Sequence, residues 1–378
     1  MNRRKRIVGV FGLTAVLLSA LLLMAPRMIP KDRLAAELRR LAAEQGQADL
    51  TLSTVGVRLV PRPTVTLGPG RLVRPPLGGP RSGVDLAWDE VDLAVALGPL
   101  LRGELGAGSF SARIARAGVG LAVYDDVTVK GRSDGSRVEV TSLRAGLGSG
   151  TLEGTATIDL EAGSGGRLEF QIECTDVPAA GLLGPWIDDW RNRLEGDLSG
   201  WARGSLILGD EAAVRSSLVL EGALFGRGGV LHAGDWLEEA LPYLGSRQDL
   251  VDVLYERVGH VFTVGQGVYA ADLIILGEET DWRVAGPIEL AGAMDLAVQV
   301  KLPPGFTPDL GQWRFLAETL RDARGRVNLA FGLVGPWDQP AFRLDLQALL
   351  AGANDRDAGE GPDGEKGWPA RLDKWEAR

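Results

Sequence analysis

Residues 282–302, WRVAGPIELAGAMDLAVQVKL, carry an apolar side chain or a glycine at every second position. Trp282, Val284, Gly286, Ile288 and Leu290 make the first half of the set. Gly292, Met294, Leu296, Val298, Val300 and Leu302 make the second. Arg283, Glu289, Asp295, Gln299 and Lys301 fall between them. Successive side chains of a strand point to opposite faces, so this alternation predicts β-structure with one apolar and one wet face. The parity survives the small Ala291-Gly292-Ala293 step, which predicts a hairpin whose two strands show their apolar sets to the same side. Such a surface needs a cover, either a second layer of protein or a ligand made of hydrocarbon.

The pattern recurs along the chain. Leu50 and Leu52 alternate, and Val55, Val57 and Leu59 resume one step out of phase, which predicts a bulge. Val84, Leu86 and Trp88 form one set; Val91, Leu93, Val95 and Leu97 form a longer one. Asp134-Gly135 predicts a hairpin within Val127–Val140. Ile158 and Leu160 lead into EAGSGG, and Leu168, Phe170 and Ile172 lead out, a second hairpin. Leu206 is in phase with Leu208, and Leu218 with Leu220. Val327, Leu329, Phe331 and Leu333 alternate near the end, followed by Phe342, Leu344 and Leu346. The 52 glycines, about twice the usual share, suit turns and closely approached strands better than helices. Short helices are expected at 185–193, 310–323 and, broken at Pro242, around 236–255.

The N-terminus differs in kind. MNRRKR carries four basic side chains, and Ile7–Ala25 follows without a charge. Nineteen helical residues nearly match a ~30 Å hydrocarbon core, which favours a transmembrane anchor over a cleaved signal peptide, whose apolar core is shorter. The basic residues place the start in the cytoplasm and the bulk of the chain beyond the inner membrane, in the periplasm of a two-membrane bacterium. Leu34, Leu38 and Leu41 then repeat at helical spacing between Asp32 and Gln45, and we read that helix as a plug for the first end of the sheet. The last segment, 352–378, is charged and poor in aliphatics and is expected to be disordered, with Trp368 and Trp375 as its exceptions.

Little in the chain points to chemistry. A net charge of −9 argues against a nucleic-acid partner. The two histidines, His232 and His260, and the single Cys174 lack second ligands at metal spacing. Gly118-Val119-Gly120 and Gly146-Leu147-Gly148 lack the third glycine of a dinucleotide fingerprint and are read as turn glycines. Asp125-Asp126, Asp188-Asp189 and Glu238-Glu239 are adjacent acids, which face opposite ways on a strand and water on a helix. A catalytic role, a cofactor and a metal are therefore not expected.

The basic start, the single anchor, the long alternating strands and a closing Gly-Pro-Trp…Pro-x-Phe pattern together resemble the AsmA-like family. Most of the likeness lies in 262–346, in FTVGQGVYAADLIILGEETDWRVAGPIELAGAMDLAVQVKLPP and VNLAFGLVGPWDQPAFRLDL; VRLVPRPTVTLGPGRL and VDLAVALGPLLRGEL match the family's opening strands and its Pro-Leu-Leu turn. The resemblance implies a mainly β chain with an N-terminal transmembrane helix and a long curled antiparallel sheet, a groove that lodges phospholipid acyl chains. It implies lipid transport or outer-membrane assembly, with phospholipid, the inner membrane and periplasmic or outer-membrane assembly proteins as partners. The alternative is a non-enzymatic periplasmic scaffold that captures partners at a sheet edge. The expected organisation is 1–6 cytoplasmic, 7–25 anchor, 26–47 linker and helix, 48–351 β-groove, and 352–378 tail. The expected lining is Leu93, Val95, Leu97, Ile158, Leu160, Phe170, Ile172, Leu206, Leu208, Leu218 and Leu220. In the C-terminal half it continues with Val284, Ile288, Leu290, Met294, Leu296, Val298, Val300, Leu329 and Phe331. About twenty strands at ~4.8 Å would reach only ~95 Å, a short conduit, a shuttle station or one piece of a larger assembly.

Overall fold

The computed structural model describes residues 35–36, 39–40, 42–43, 48–58, 64–74, 84–95, 108–119, 122–160, 166–183, 194–208, 211–232, 252–290, 292–308, 320–322, 324–336, 340–344 and 367–377. The expected anchor lies outside them. Among the described residues no helix is long and apolar enough to cross a membrane. Among the described residues the chain is mainly β, a large antiparallel sheet of nineteen strands with few short helices. It divides into two compact units, one comprising Met1–Asp188 with Arg203–Leu218 and the other Asp189–Ala202 with Val219–Arg378.

The first unit is an up-and-down meander. β1 (Asp49–Leu52) and β2 (Val55–Arg58) act as one bent strand, and β3 (Thr64–Leu67) and β4 (Gly70–Arg74) as its equally bent partner. Asp49 pairs with Val73 and Arg58 with Thr64 in one unbroken register. Both β3 and β4 then pair with β5 (Val84–Val95). The meander continues through β6 (Gly108–Val119), β7 (Ala122–Ser133), β8 (Arg137–Leu147), β9 (Gly150–Asp159) and β10 (Arg167–Pro178). A five-residue helix, α1 (Ala179–Leu183), follows. The phase change seen in the sequence is shared between neighbours. Ser53-Thr54, Gly68-Pro69, Asp89-Glu90, Ala115-Arg116 and Asp125-Asp126 are each a two-residue step at which the strand turns no side chain inward. Where adjacent strands step in line the register survives; it shifts locally at Trp88, where the steps of β5 and β6 are offset along the strands, and beside Asp125, where β8 does not step with β7. Asp126 takes a left-handed conformation, φ 50°, and both adjacent acids end up exposed on the outer side. That corrects the expectation that they face opposite ways.

The inward residues form one apolar face. Leu50, Leu52, Val55, Leu67 and Leu72 cluster with Leu86, Trp88, Val91 and Phe110. Ala117, Val127 and Ala145 cluster with Ile114, Tyr124 and Leu152. Helical residues before β1 lie against the first cluster through Ala35 and the fully buried Ala42, and Arg39 donates to the Leu52 carbonyl at 3.1 Å. The outer face carries cross-strand ion pairs such as Arg71–Asp85 and Arg132–Glu139.

In the second unit, β11 (Leu194–Glu195) pairs with β13 (Val219–His232), and a meander follows. Its strands are β14 (Asp252–Gly265), β15 (Val268–Leu276), β16 (Asp281–Glu289), β17 (Ala293–Leu302), β18 (Val327–Pro336) and β19 (Ala341–Leu344). β12 (Asp197–Ile207) and the helix α2 (Glu211–Ser217), which the periodicity does not announce, stand between β11 and β13 in the chain. The hairpin anticipated at 282–302 is β16–β17, with Trp282 opposite Val300 and Val284 opposite Val298. The Asp134-Gly135 turn closes β7–β8, its Asp134 Oδ1 accepting from the Arg137 amide at 2.8 Å.

Several expectations are corrected. Gly118 and Gly146 lie within β6 and β8 rather than in turns, Gly148, φ 61°, is a turn glycine, and Gly120 lies outside the described residues. The end of the helix expected around 236–255 is strand instead, since Asp252–Tyr255 open β14. Arg321, near the end of the helix expected at 310–323, bridges Val327. The rest of these two inserts and 185–193 lie outside the described residues. The segment expected to be disordered contains a helix, α3 (Gly367–Glu376), because Leu372 and Trp375 find an apolar seat. The sheet is neither closed nor strongly curled, unlike the trough expected from the resemblance.

Candidate functional site

Beyond the exposed Arg227-Gly228 step of β13, where Gly228 has φ 67°, the second unit sorts its side chains with no further phase change among the described residues. From β13 to β18, paired positions run Leu224–His260–Leu273–Val284–Val298–Phe331. The next row is Gly226–Val258–Ile275–Trp282–Val300–Leu329. In an antiparallel sheet directly opposed residues share a face, so these rows tile one apolar surface. The burial is deep: Val298, Val300, Leu302 and Val327 are all 0% exposed. The opposite face carries ion pairs, Arg283 with Asp272 at 3.1 Å, Arg326 with Asp281 at 2.6 Å and Arg343 with Asp295 at 3.5 Å, beside an apolar patch on β13–β15.

Of the expected lining, Leu220, Val284, Ile288, Met294, Leu296, Val298, Val300, Leu329 and Phe331 come together on this face. Leu290 sits in the turn just past β16, half-buried, its amide bound to the Gly267 carbonyl. In the first unit Ile158, Phe170 and Ile172 share the apolar face, Ile158 opposite Leu168 and Phe170 opposite Ala156. Leu160 does not join them: the pairing ends at Asp159, and Leu160 is 42% exposed. Leu93 and Val95 hold backbone positions in β5, and Leu97 lies outside the described residues. Leu206 is in β12; Leu208 and Leu218 flank α2, half-buried.

The alternation missed Val258, His260, Phe262 and Val264 of β14, and Tyr269, Leu273 and Ile275 of β15. β14 hides its parity because both of its faces are apolar in part: Val253, Tyr255 and Val261 point one way, Val258, Phe262 and Val264 the other. The signal that resolves it is Gln266-Gly267. Both residues have positive φ, 53° and 77°, and the two-residue turn pairs Gly265 with Val268, which sets the register of both strands.

One polar group interrupts the apolar face. His260 Nδ1 lies 3.3 Å from the Asp272 carbonyl, and Nε2 contacts the Tyr269 hydroxyl. The carbonyl only accepts, so Nδ1 carries the proton and Nε2 accepts from Tyr269. Phe262 stacks against both rings, 5.4 Å from His260 and 5.7 Å from Tyr269. Burial keeps the imidazole neutral, its pKa pushed down to about 4, and raises that of the Tyr269 phenol. His232 is the opposite case. Asp252 stands 2.7 Å from Nδ1 and Glu195 3.1 Å from Nε2. Carboxylates at both nitrogens favour the doubly protonated ring, and these two hydrogen bonds raise its pKa.

Chemically, this arrangement offers a broad dry surface with a single buried polar dyad. Among the described residues no three His, Cys, Asp or Glu side chains gather as a metal site. Cys174 is buried. No family model, no curated protein and no solved structure matches the chain.

Proposed function

We propose that the chain is a membrane-anchored periplasmic protein that lodges phospholipid acyl chains against the apolar face of β13–β19, in lipid transport or outer-membrane assembly. The observation that carries this reading is the continuous apolar surface, two paired rows deep and interrupted by the His260–Tyr269 dyad, with the ion pairs on the other face. Five inter-strand spacings of ~4.8 Å from β13 to β18 make it roughly 24 Å wide. That exceeds the ~15 Å reach of one acyl chain, half of a ~30 Å hydrocarbon core. Each methylene sheltered there is worth about 0.8 kcal/mol. A lining of aliphatic side chains offers no deep well, so a chain can slide along it. The sequence supports the reading through the apolar run Ile7–Ala25 and the AsmA-like resemblance. Because the protein's own atoms shield the face, the ligand enters a covered site rather than an open trough.

The test needs no mutation. Full-length protein purified from membranes is extracted for lipid mass spectrometry, and a phospholipid with a photoreactive acyl chain is cross-linked to it. Adducts are expected on Leu296, Val298 and Phe331, and not on the outward Ala297, Gln299 or Asn328. Adducts confined to residues 7–25, or spread equally over both faces, would refute the proposal.

A further inference from the structure

On the polar side of β13–β15 lies the ten-residue helix α3. A helix this short is not stable alone in water, so the sheet supplies its order. Trp368, Arg371, Leu372 and Trp375 recur at i, i+3, i+4 and i+7 and therefore share one face. Leu372 is 0% and Trp375 8% exposed, and they pack with Ile274, Leu276, Phe225 and Val261. Gly259 makes the hole for the Leu372 knob: a Cβ there would lie 2.0 Å from Leu372 Cδ1. Around this centre runs a charged rim. Arg371 meets Asp272 at 2.6 Å; Arg257 reaches Asp373 at 2.8 Å and Glu376 at 3.1 Å. Lys301 Nζ sits 4.2 Å over the Trp368 ring.

A small apolar centre inside a polar rim is the anatomy of a protein interface rather than of a core. The strands underneath are held from their other face, where Val258, Val264 and Ile275 are buried. The seat therefore keeps its shape when the helix leaves. We propose that this patch is a helix-docking site and that α3 is its resident, displaceable ligand. A partner helix with the same aromatic, leucine and acid spacing is admitted only after α3 departs, so the chain guards the site with its own end. The proposal concerns the face opposite the apolar one and does not rest on the lipid reading.

The test uses the full-length chain with Leu372→Asp and Trp375→Ala, which evict α3, and a labelled peptide of residues 367–378 followed by fluorescence anisotropy. The variant should bind the peptide one-to-one and at least about tenfold tighter than the unmodified chain, whose own helix competes at high effective concentration. Adding Gly259→Leu should abolish binding. Hydrogen exchange of β14 and β15 reports whether the variant's seat is folded. If β14 and β15 stay protected and the peptide does not bind, or binds the Gly259→Leu form equally well, the proposal fails. Exchange in the unmodified chain is a second measure: α3 amides should open locally, well before the strands. Exchange of α3 only together with β14 and β15 would also overturn it.

Discussion

The two units build the same antiparallel meander but treat its periodicity differently. In the first unit most strands carry a two-residue step, Thr141-Ser142 of β8 and Thr175-Asp176 of β10 included, so the apolar face changes parity partway along and the register slips where neighbouring steps are out of line. In the second, one register runs through each of the pairs β13–β14, β14–β15 and β17–β18, and an apolar row crosses from β13 to β18 unbroken. Steps re-aim side chains and bend strands. An unstepped sheet keeps a continuous surface. That continuity is the reason the lipid proposal rests on the second unit and not the first.

The sharpest way to break the contrast is to place a charge on each sheet. Val300→Asp puts a carboxylate at a 0% exposed position of the continuous face, and should destabilise its unit by at least about 4 kcal/mol in chemical denaturation. Ala115→Asp, at an exposed step of β6, should change stability by less than about 0.5 kcal/mol. Equal losses would mean that the step does not face water as described.

Acid titration tests the buried dyad. The folded His260 has a lowered pKa of about 4, against about 6.5 unfolded. The unfolded chain therefore binds the proton more readily between those values. Stability is lost as pH falls from about 6.5 to 4, by on the order of 3 kcal/mol. His260→Phe should flatten that slope. The backbone step itself is probed at Asp126, where Asp126→Val should cost about 1–2 kcal/mol because a β-branched residue resists φ 50°, while Asp126→Gly should be tolerated. The smallest effect belongs to His232. Its raised pKa gives a contribution that is full below about 6.5 and lost as pH rises through the folded value. With a partly exposed ring the loss should stay near 0.5 kcal/mol, and His232→Ala should remove it.

Much of this was legible before any coordinates. Alternation placed the β16–β17 hairpin, its parity and the inward set from Val284 to Val300, because period two has only two faces to choose between. The phase change at Leu52 and Val55 was visible as well. Its spread to β5, β6 and β7 was not, since a step is recognised only when the neighbouring register is known. Asp125-Asp126 read as an ordinary pair of acids and proved to be such a step. Leu160 kept the right parity yet ended outside the pairing, because alternation does not say where a strand loses its partner. α3 escaped notice in a charged tail, since its order comes from a glycine hole more than a hundred residues earlier in the chain.

The sequence by itself determined the β class, the strand parities and the turns, all of which depend on neighbours along the chain. Only the tertiary structure decided which parities align into one surface, that both faces of β14 are in use, and that the last helix docks rather than drifts. Those outcomes depend on register between strands, where a one-residue slip exchanges one face for the other, and on contacts between residues far apart in the sequence.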